Sequence, residues 1–287
     1  MRRKTETILL ALALACGAGV AAAQAPPAHP NPGEIYCSGM VTSESVPRDT
    51  YLISGEGSHY RMGYTHGEYV YINKGAGAGV KVGDKFSTIR PISDSWRWKW
   101  FASQPRLRRA MGQQWTDVAQ MSVVVVHPNV SIAQVIDSCT DVRRGDIVLP
   151  FTERPVPALK TGKFDHFAPV SGKPVGMLVS SMDFETELVG MNQIVYINLG
   201  SAQGVKVGDF VRIFRYQGTR HDKVYDLNFT AYKMYGYGST PVRYTWKDLP
   251  REVIGEGVVL RSSPNASTVL ITFSLYEMYM GNYVEIE

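Results

Sequence analysis

The chain has 287 residues, with 30 basic and 26 acidic side chains and a formal net charge of +4. Charges of both signs are mixed along it without long runs of one sign, which argues against a nucleic-acid-binding surface. Beyond the N-terminal segment, no apolar run approaches the ~18 to 20 residues of a membrane-spanning helix.

The N-terminus predicts a secretory signal sequence over residues 1 to 23. Basic residues at positions 2 to 4 precede an apolar run, and the segment ends in small residues at Ala23. We therefore expect a protein of the periplasm or the extracellular space, whose net charge falls to +2 after cleavage. A second interpretation stays open, because the sequence ALAC that ends at Cys16 resembles a lipobox and would make Cys16 a lipid anchor.

The main organising feature is a segment that occurs twice, 125 residues apart. Residues 69 to 84 read YVYINKGAGAGVKVGD and residues 194 to 209 read IVYINLGSAQGVKVGD, with 11 of 16 positions identical. Alternating apolar residues followed by glycines predict a strand, a tight loop and a second strand, that is, a β-hairpin. The loop glycines are expected to supply positive φ angles. Such self-similarity predicts that one folding unit was duplicated.

The rest of the chain divides around the two copies. We expect a proline-rich extended linker over residues 24 to 35, a first module over 36 to 152, a second linker over 153 to 173 and a second module over 174 to 287. The pair Gly39-Met40 matches Gly176-Met177, which predicts that the two modules begin with equivalent strands and that the first carries 12 additional residues before its hairpin.

The predicted fold class is all-β, with two tandem duplicated small β-barrel or sandwich modules that carry long aromatic insertions. Helix is expected mainly at residues 106 to 111, in the first insertion. Aromatic residues mixed with Arg and Lys are typical of contact surfaces for proteins or glycans. The candidate binding residues are Trp96, Trp98, Trp100, Trp115, Tyr235, Tyr237 and Trp246. An alternative stays open, since alternating tryptophans also form the buried face of a strand.

Two cysteines, Cys37 and Cys139, remain after removal of the signal sequence. An even number of cysteines in an oxidising compartment favours a disulfide, and the two flank the first and last strands of the first module. The alternative is a pair of buried free thiols.

No sequence pattern indicates catalysis or a bound metal. The six histidines form no metal-ligand spacing, and the serine-hydrolase motif GxSxG does not occur. We therefore expect a protein that is not an enzyme and has no cofactor.

The pattern VYINxGxxxGVKVGD resembles the strand-loop-strand element of cell-envelope β-modules. It is similar to the C-terminal domain of the flagellar H-ring assembly protein and, more distantly, to the β-barrels of the rod-shape scaffold protein, over about 20 residues per copy. This resemblance implies a non-enzymatic scaffold or assembly role with a cell-envelope protein as partner. Two alternatives are a module that binds peptidoglycan or polysaccharide, and an envelope enzyme whose site is assembled by the fold.

Overall fold

A computed structural model describes residues 29 to 93, 99 to 183, 186 to 216 and 250 to 287. These residues are almost entirely β and form two units, a curled seven-stranded sheet followed by a closed six-stranded barrel. The predicted all-β class with barrel-like modules is confirmed. The predicted signal sequence and Cys16 lie outside the described residues.

The first unit contains two short helices and seven strands. In chain order they are α1 (Pro32–Tyr36), β1 (Met40–Thr42), β2 (Leu52–Gly55), β3 (Tyr69–Ile72), β4 (Lys85–Pro91), α2 (Gln104–Met111), β5 (Gln113–Val126), β6 (Ser131–Ser138) and β7 (Ile147–Pro150). The strands pair in the order β2-β3-β6-β5-β4-β7, and β1 also pairs with β5. A bridge between Tyr51 and Ile147 joins the two ends of the sheet, so the sheet curls around a core that includes Val70 and Ala133.

The second unit is a barrel whose strands are all joined by hydrogen bonds. Its elements are β8 (Val175–Ser181), β9 (Leu188–Val189), β10 (Ile194–Ile197), β11 (Phe210–Tyr216), β12 (Arg251–Ser263), β13 (Ala266–Ser274), β14 (Met278–Tyr279) and β15 (Tyr283–Ile286). The closed order is β10-β13-β12-β11-β15-β8, while β9 and β14 form a separate two-stranded sheet. Alternate residues point inward, so that Ile197, Ile213 and Ile254 are completely buried in the barrel core.

The two units share one pairing register. Tyr71 pairs with Ile132 in the first unit, as Tyr196 pairs with Thr268 in the second. The register shifts also correspond: the shift at Val123 to Val125 matches the one at Val259 to Arg261. Duplication of one folding unit stays a prediction, and this shared register supports it.

The register corrects the predicted start of the first module. Leu52 of β2 pairs with Ile72, as Leu178 of β8 pairs with Ile197, so β2 is the equivalent of β8. β1 instead pairs antiparallel with the first residues of β5. The match between Gly39-Met40 and Gly176-Met177 therefore does not reflect equivalent strands. Leu52 and Ile72 are 20 residues apart and Leu178 and Ile197 are 19 apart, so the predicted 12-residue addition is not found between β2 and the repeated segment.

The repeated segment is not a hairpin, in contrast to the prediction. β3 and β4 are separated in the sheet by β6 and β5, and a short 3₁₀ turn at Ala76–Ala78 carries the chain across the end of the β5-β6 pair. A second such turn at Ser201–Gln203 does the same in the second unit. Of the five loop glycines, Gly79 and Gly204 have the expected positive φ, at 83° and 84°.

Both predicted linkers contribute ordered structure. Within residues 24 to 35, Asn31 and Glu34 form a reciprocal capping box that begins α1, so this part is helical and not extended. The second linker packs on the barrel, where Lys160 contacts Glu256 and Ala168 is buried. The predicted helix at residues 106 to 111 is confirmed as part of α2.

Neither helix in the described part of the chain has the length and apolar character needed to cross a bilayer.

Candidate functional site

Buried ion pairs, side-chain hydrogen bonds and a cleft occur together at the junction of the two units, which we take as the candidate site. β1 and α2 of the first unit pack on the outer face of β8, β10, β12 and β13. Val41 and Met111 enter one apolar cluster with Val179, Tyr196 and Leu260 of the second unit. The junction is therefore a small hydrophobic core of its own, and it holds the units against each other.

A buried carboxylate, Asp117 on β5, lies at the centre of the junction. Arg154 donates two hydrogen bonds to it, of 2.9 and 2.7 Å, and Arg261 of β12 contacts it at 3.4 Å. The backbone amide of Gly39 donates a further hydrogen bond of 2.8 Å. Three chain segments distant in sequence thus converge on one carboxylate, which is 6% exposed.

The pKa values of two other groups beside Asp117 are shifted from their ordinary values. Burial lowers the pKa of the Arg261 guanidinium, although the negative charge of Asp117 opposes this effect. Burial, and then the charge of Asp117, raises the pKa of the Tyr196 phenol. Tyr196 therefore stays neutral, and its hydroxyl donates a hydrogen bond of 3.0 Å to the carbonyl oxygen of Ser38. This bond fixes the chain just before β1 on the second unit.

Two glutamine side chains bind the backbone of β8. Gln104, at the start of α2, donates to the carbonyl of Val179 at 2.7 Å, and Gln114 of β5 donates to that of Ser181 at 3.2 Å. Both amides lie in a buried environment where an unpaired carbonyl is costly. The first unit therefore supplies donors to strand β8 of the second.

The predicted disulfide between Cys37 and Cys139 is present, with a Cα–Cα distance of 5.4 Å. It ties the end of α1 to the end of β6. A disulfide fits an oxidising compartment and not a reducing cytosol.

A cleft of about 760 Å³ opens between the units beside this disulfide. Its size falls in the range of sites that hold a small ligand or a short segment of a partner. Its wall includes Arg90, Ile92, Trp100, Arg108, Gln114 and Asp183.

The charged groups of the cleft are largely held in ion pairs. Arg90 binds Asp146 through two hydrogen bonds of 2.7 and 2.8 Å. Arg143 hydrogen-bonds Asp141 and lowers the pKa of that carboxyl. The cleft therefore places guanidinium and amide donors, held by these contacts, beside an indole ring. This arrangement suits a partner segment that carries both polar and apolar groups.

The candidate aromatic residues have different positions. Trp115 is 2% exposed and packs with Ile89 and Ile147, so it belongs to the core of the first unit. Its assignment to a contact surface is corrected, because its position on β5 turns the ring inward. Trp100 is partly buried against the core of the second unit and also lines the cleft. The other five candidates, Trp96, Trp98, Tyr235, Tyr237 and Trp246, lie outside the described residues.

In the described ranges no group of three or more His, Cys, Asp or Glu side chains is arranged to hold a metal ion. The junction residues Asp117, Arg154 and Arg261 were not identified from the sequence. Each stands in an ordinary strand or linker context, and only the fold brings them together.

No protein-family model matches the chain, and no curated protein matches it.

Proposed function

We propose that this protein is a secreted, non-enzymatic component of the cell envelope that acts as a scaffold or assembly factor through protein–protein contacts. The proposal begins from the sequence resemblance to envelope β-modules and from the predicted signal sequence. The disulfide supports the compartment, since such bonds persist outside the cytosol.

The observation that carries the proposal is the buried, hydrogen-bonded junction between the units with an open cleft beside it. The apolar cluster, the Asp117 ion pairs and the two glutamine amides each tie the first unit to the second. A partner that binds between units already held in place loses little conformational entropy from the protein. This arrangement suits a protein whose work is to hold another molecule in a fixed orientation.

Site-specific photo-crosslinking in secreting cells tests the proposal. A benzophenone residue at Ser93, on the exposed rim of the cleft, is expected to capture a protein and shift the chain to a discrete larger mass. The matched control is the same residue at Val82, which is 66% exposed and does not line the cleft. Equal capture at both positions, or none at Ser93, would contradict a protein partner in the cleft.

One observation favours a second candidate, a peptidoglycan- or polysaccharide-binding protein. Trp100 lines the cleft together with Gln114 and Asp183, and an indole face beside amide and carboxylate groups is a common arrangement for binding sugar rings. Sedimentation with purified peptidoglycan separates the two candidates. Retention that is lost in Trp100→Ala, with no protein captured at Ser93, would favour the glycan.

A further inference from the structure

The shared register allows the outer faces of the two units to be compared residue by residue. On β3 and β10, Tyr71 is the equivalent of Tyr196, and Tyr69 is the equivalent of Ile194. The other equivalent pairs on this face are Ile53 with Val179 and Val124 with Leu260. We call the surface formed by these equivalent positions the outer face of each unit. In the first unit it consists of Ile53, Tyr69, Tyr71 and Val124.

The outer face is apolar in both units but is covered in only one. In the second unit Val179 and Tyr196 are 0% exposed and Leu260 is 2% exposed. In the first unit Ile53 is 43%, Tyr69 38% and Val124 37% exposed. Neighbouring Tyr51 and Val125, at 43% and 42%, enlarge the exposed surface. An exposed apolar sheet face of this kind indicates an interaction site.

The second unit shows what covers such a face. Its cover is β1 together with α2, and α2 belongs to the segment between β4 and β5, residues 92 to 112. Leu107 and Met111 of α2 reach the apolar cluster. The segment between β4 and β5 therefore leaves its own unit and covers the outer face of the other unit.

The second unit has a segment at the equivalent position. It joins β11 to β12 and runs from residue 217 to 250, longer than the segment that it corresponds to. Its two ends are anchored side by side, since Tyr216 pairs with Arg251. Within one chain, the segment that follows β4 of the first unit covers the outer face of the second unit. The same arrangement between two copies would set the β11–β12 end of the second unit of one copy against the outer face of the first unit of the other.

We propose that the outer face of the first unit binds the second unit of another copy, so that copies of the chain join head to tail. The contact is heterologous, because the two surfaces differ, and such contacts form rings or open chains and not closed twofold dimers. The inference rests on the proposed scaffold role and names a second copy as one of its partners.

Analytical ultracentrifugation of the purified secreted chain tests the proposal without any other envelope component. The wild-type protein is expected to form a series of species that grows with concentration. Val124→Asp places a charge on the outer face and is expected to abolish every species larger than the monomer. The control is Val156→Asp, which adds the same charge at an exposed valine of the linker between the two units and should leave the series unchanged.

A mixing experiment tests the direction of the contact. The Val124→Asp chain keeps its second unit, so it adds to one end of a wild-type series and stops growth there. A small fraction of this variant is therefore expected to shorten the wild-type species. In a symmetric dimer the variant would be left out and the wild-type dimer would persist.

Three results would overturn the proposal: a wild-type protein that stays monomeric across the concentration range, a twofold dimer unaffected by mixing, or equal effects of the two substitutions. None of these results bears on capture of a protein in the cleft, so the proposed function and head-to-tail assembly fail separately.

Discussion

At the scale of single residues, the junction depends on the charge of Asp117. Its carboxylate has accepted bonds from Arg154 and the Gly39 amide and lies beside Arg261, all in a region largely removed from water. Burying two guanidinium groups is costly, and the carboxylate offsets this cost by attraction over short distances. The same centre orients Tyr196 and the residues before β1, so one side chain links electrostatics to the docking of the units.

We expect Asp117→Asn to lower the free energy of unfolding by roughly 3 kcal/mol, because removing one partner leaves buried charges uncompensated. The amide has the size of the carboxylate, so packing is preserved and the loss reports the charge. Urea unfolding followed by circular dichroism measures it. Asp141→Asn serves as the control, since the ion pair with Arg143 is exposed and should contribute little. A similar loss in both variants would contradict the central role of Asp117.

At the scale of elements, the repeated segment acts as a crossing turn. Gly75 lies against the backbone of the turn between β5 and β6, where a methyl group would overlap the carbonyl oxygen of His127. Gly200 makes the same approach to the carbonyl oxygen of Ser263. Gly79 and Gly204 then adopt the left-handed conformation that ends each 3₁₀ turn. In each repeated segment, the first glycine thus allows close approach to the backbone of a neighbouring turn, and the glycine that ends the 3₁₀ turn supplies the positive φ angle.

We expect Gly75→Ala to destabilise the first unit by roughly 2 kcal/mol or more, as overpacking against backbone does. The φ of Gly75 is −136°, which alanine also adopts, so the loss isolates the contact. Gly190→Ala is the control, because no described residue lies within 4 Å of the added methyl there. Thermal unfolding of both variants measures the difference. A Gly75→Ala protein as stable as wild type would show that the turn moves aside.

The sequence was sufficient to predict the all-β class, most of α2 and the disulfide, because apolar alternation, a helix start and stop, and cysteine count are local or compositional properties. It was not sufficient to predict which strands pair. Period-two alternation at β3 and β4 is the same whether the strands are neighbours or separated by β5 and β6. The inward position of Trp115 and the meeting of Asp117 with Arg261 depend on contacts between residues far apart in the chain, which no local pattern encodes.

At the scale of the whole molecule, the first unit both curls around its own core and supplies the cover of the second unit. The chain from Ser38 to β1 takes part in this cover, because Tyr196 and Thr268 donate hydrogen bonds to Ser38 and Gly39. The disulfide at Cys37 ties this docked segment to the end of β6. Stability of the first unit and attachment of the second are therefore coupled through one covalent bond.

We expect the double variant Cys37→Ala/Cys139→Ala to lose about 3 to 5 kcal/mol in the free energy of unfolding, because the bond closes a long loop and restricts the unfolded chain. The two cysteines are 102 residues apart. Urea unfolding of wild type and variant, each with and without a dithiol reductant, gives the measurement. Reductant should bring wild type to the stability of the variant and leave the variant unchanged, which separates loss of the bond from any other effect of reduction. Because the docked segment then loses its covalent bond to the end of β6, we also expect the two units to unfold in separate steps. A variant that keeps wild-type stability and a single transition would show that the noncovalent junction alone couples the units.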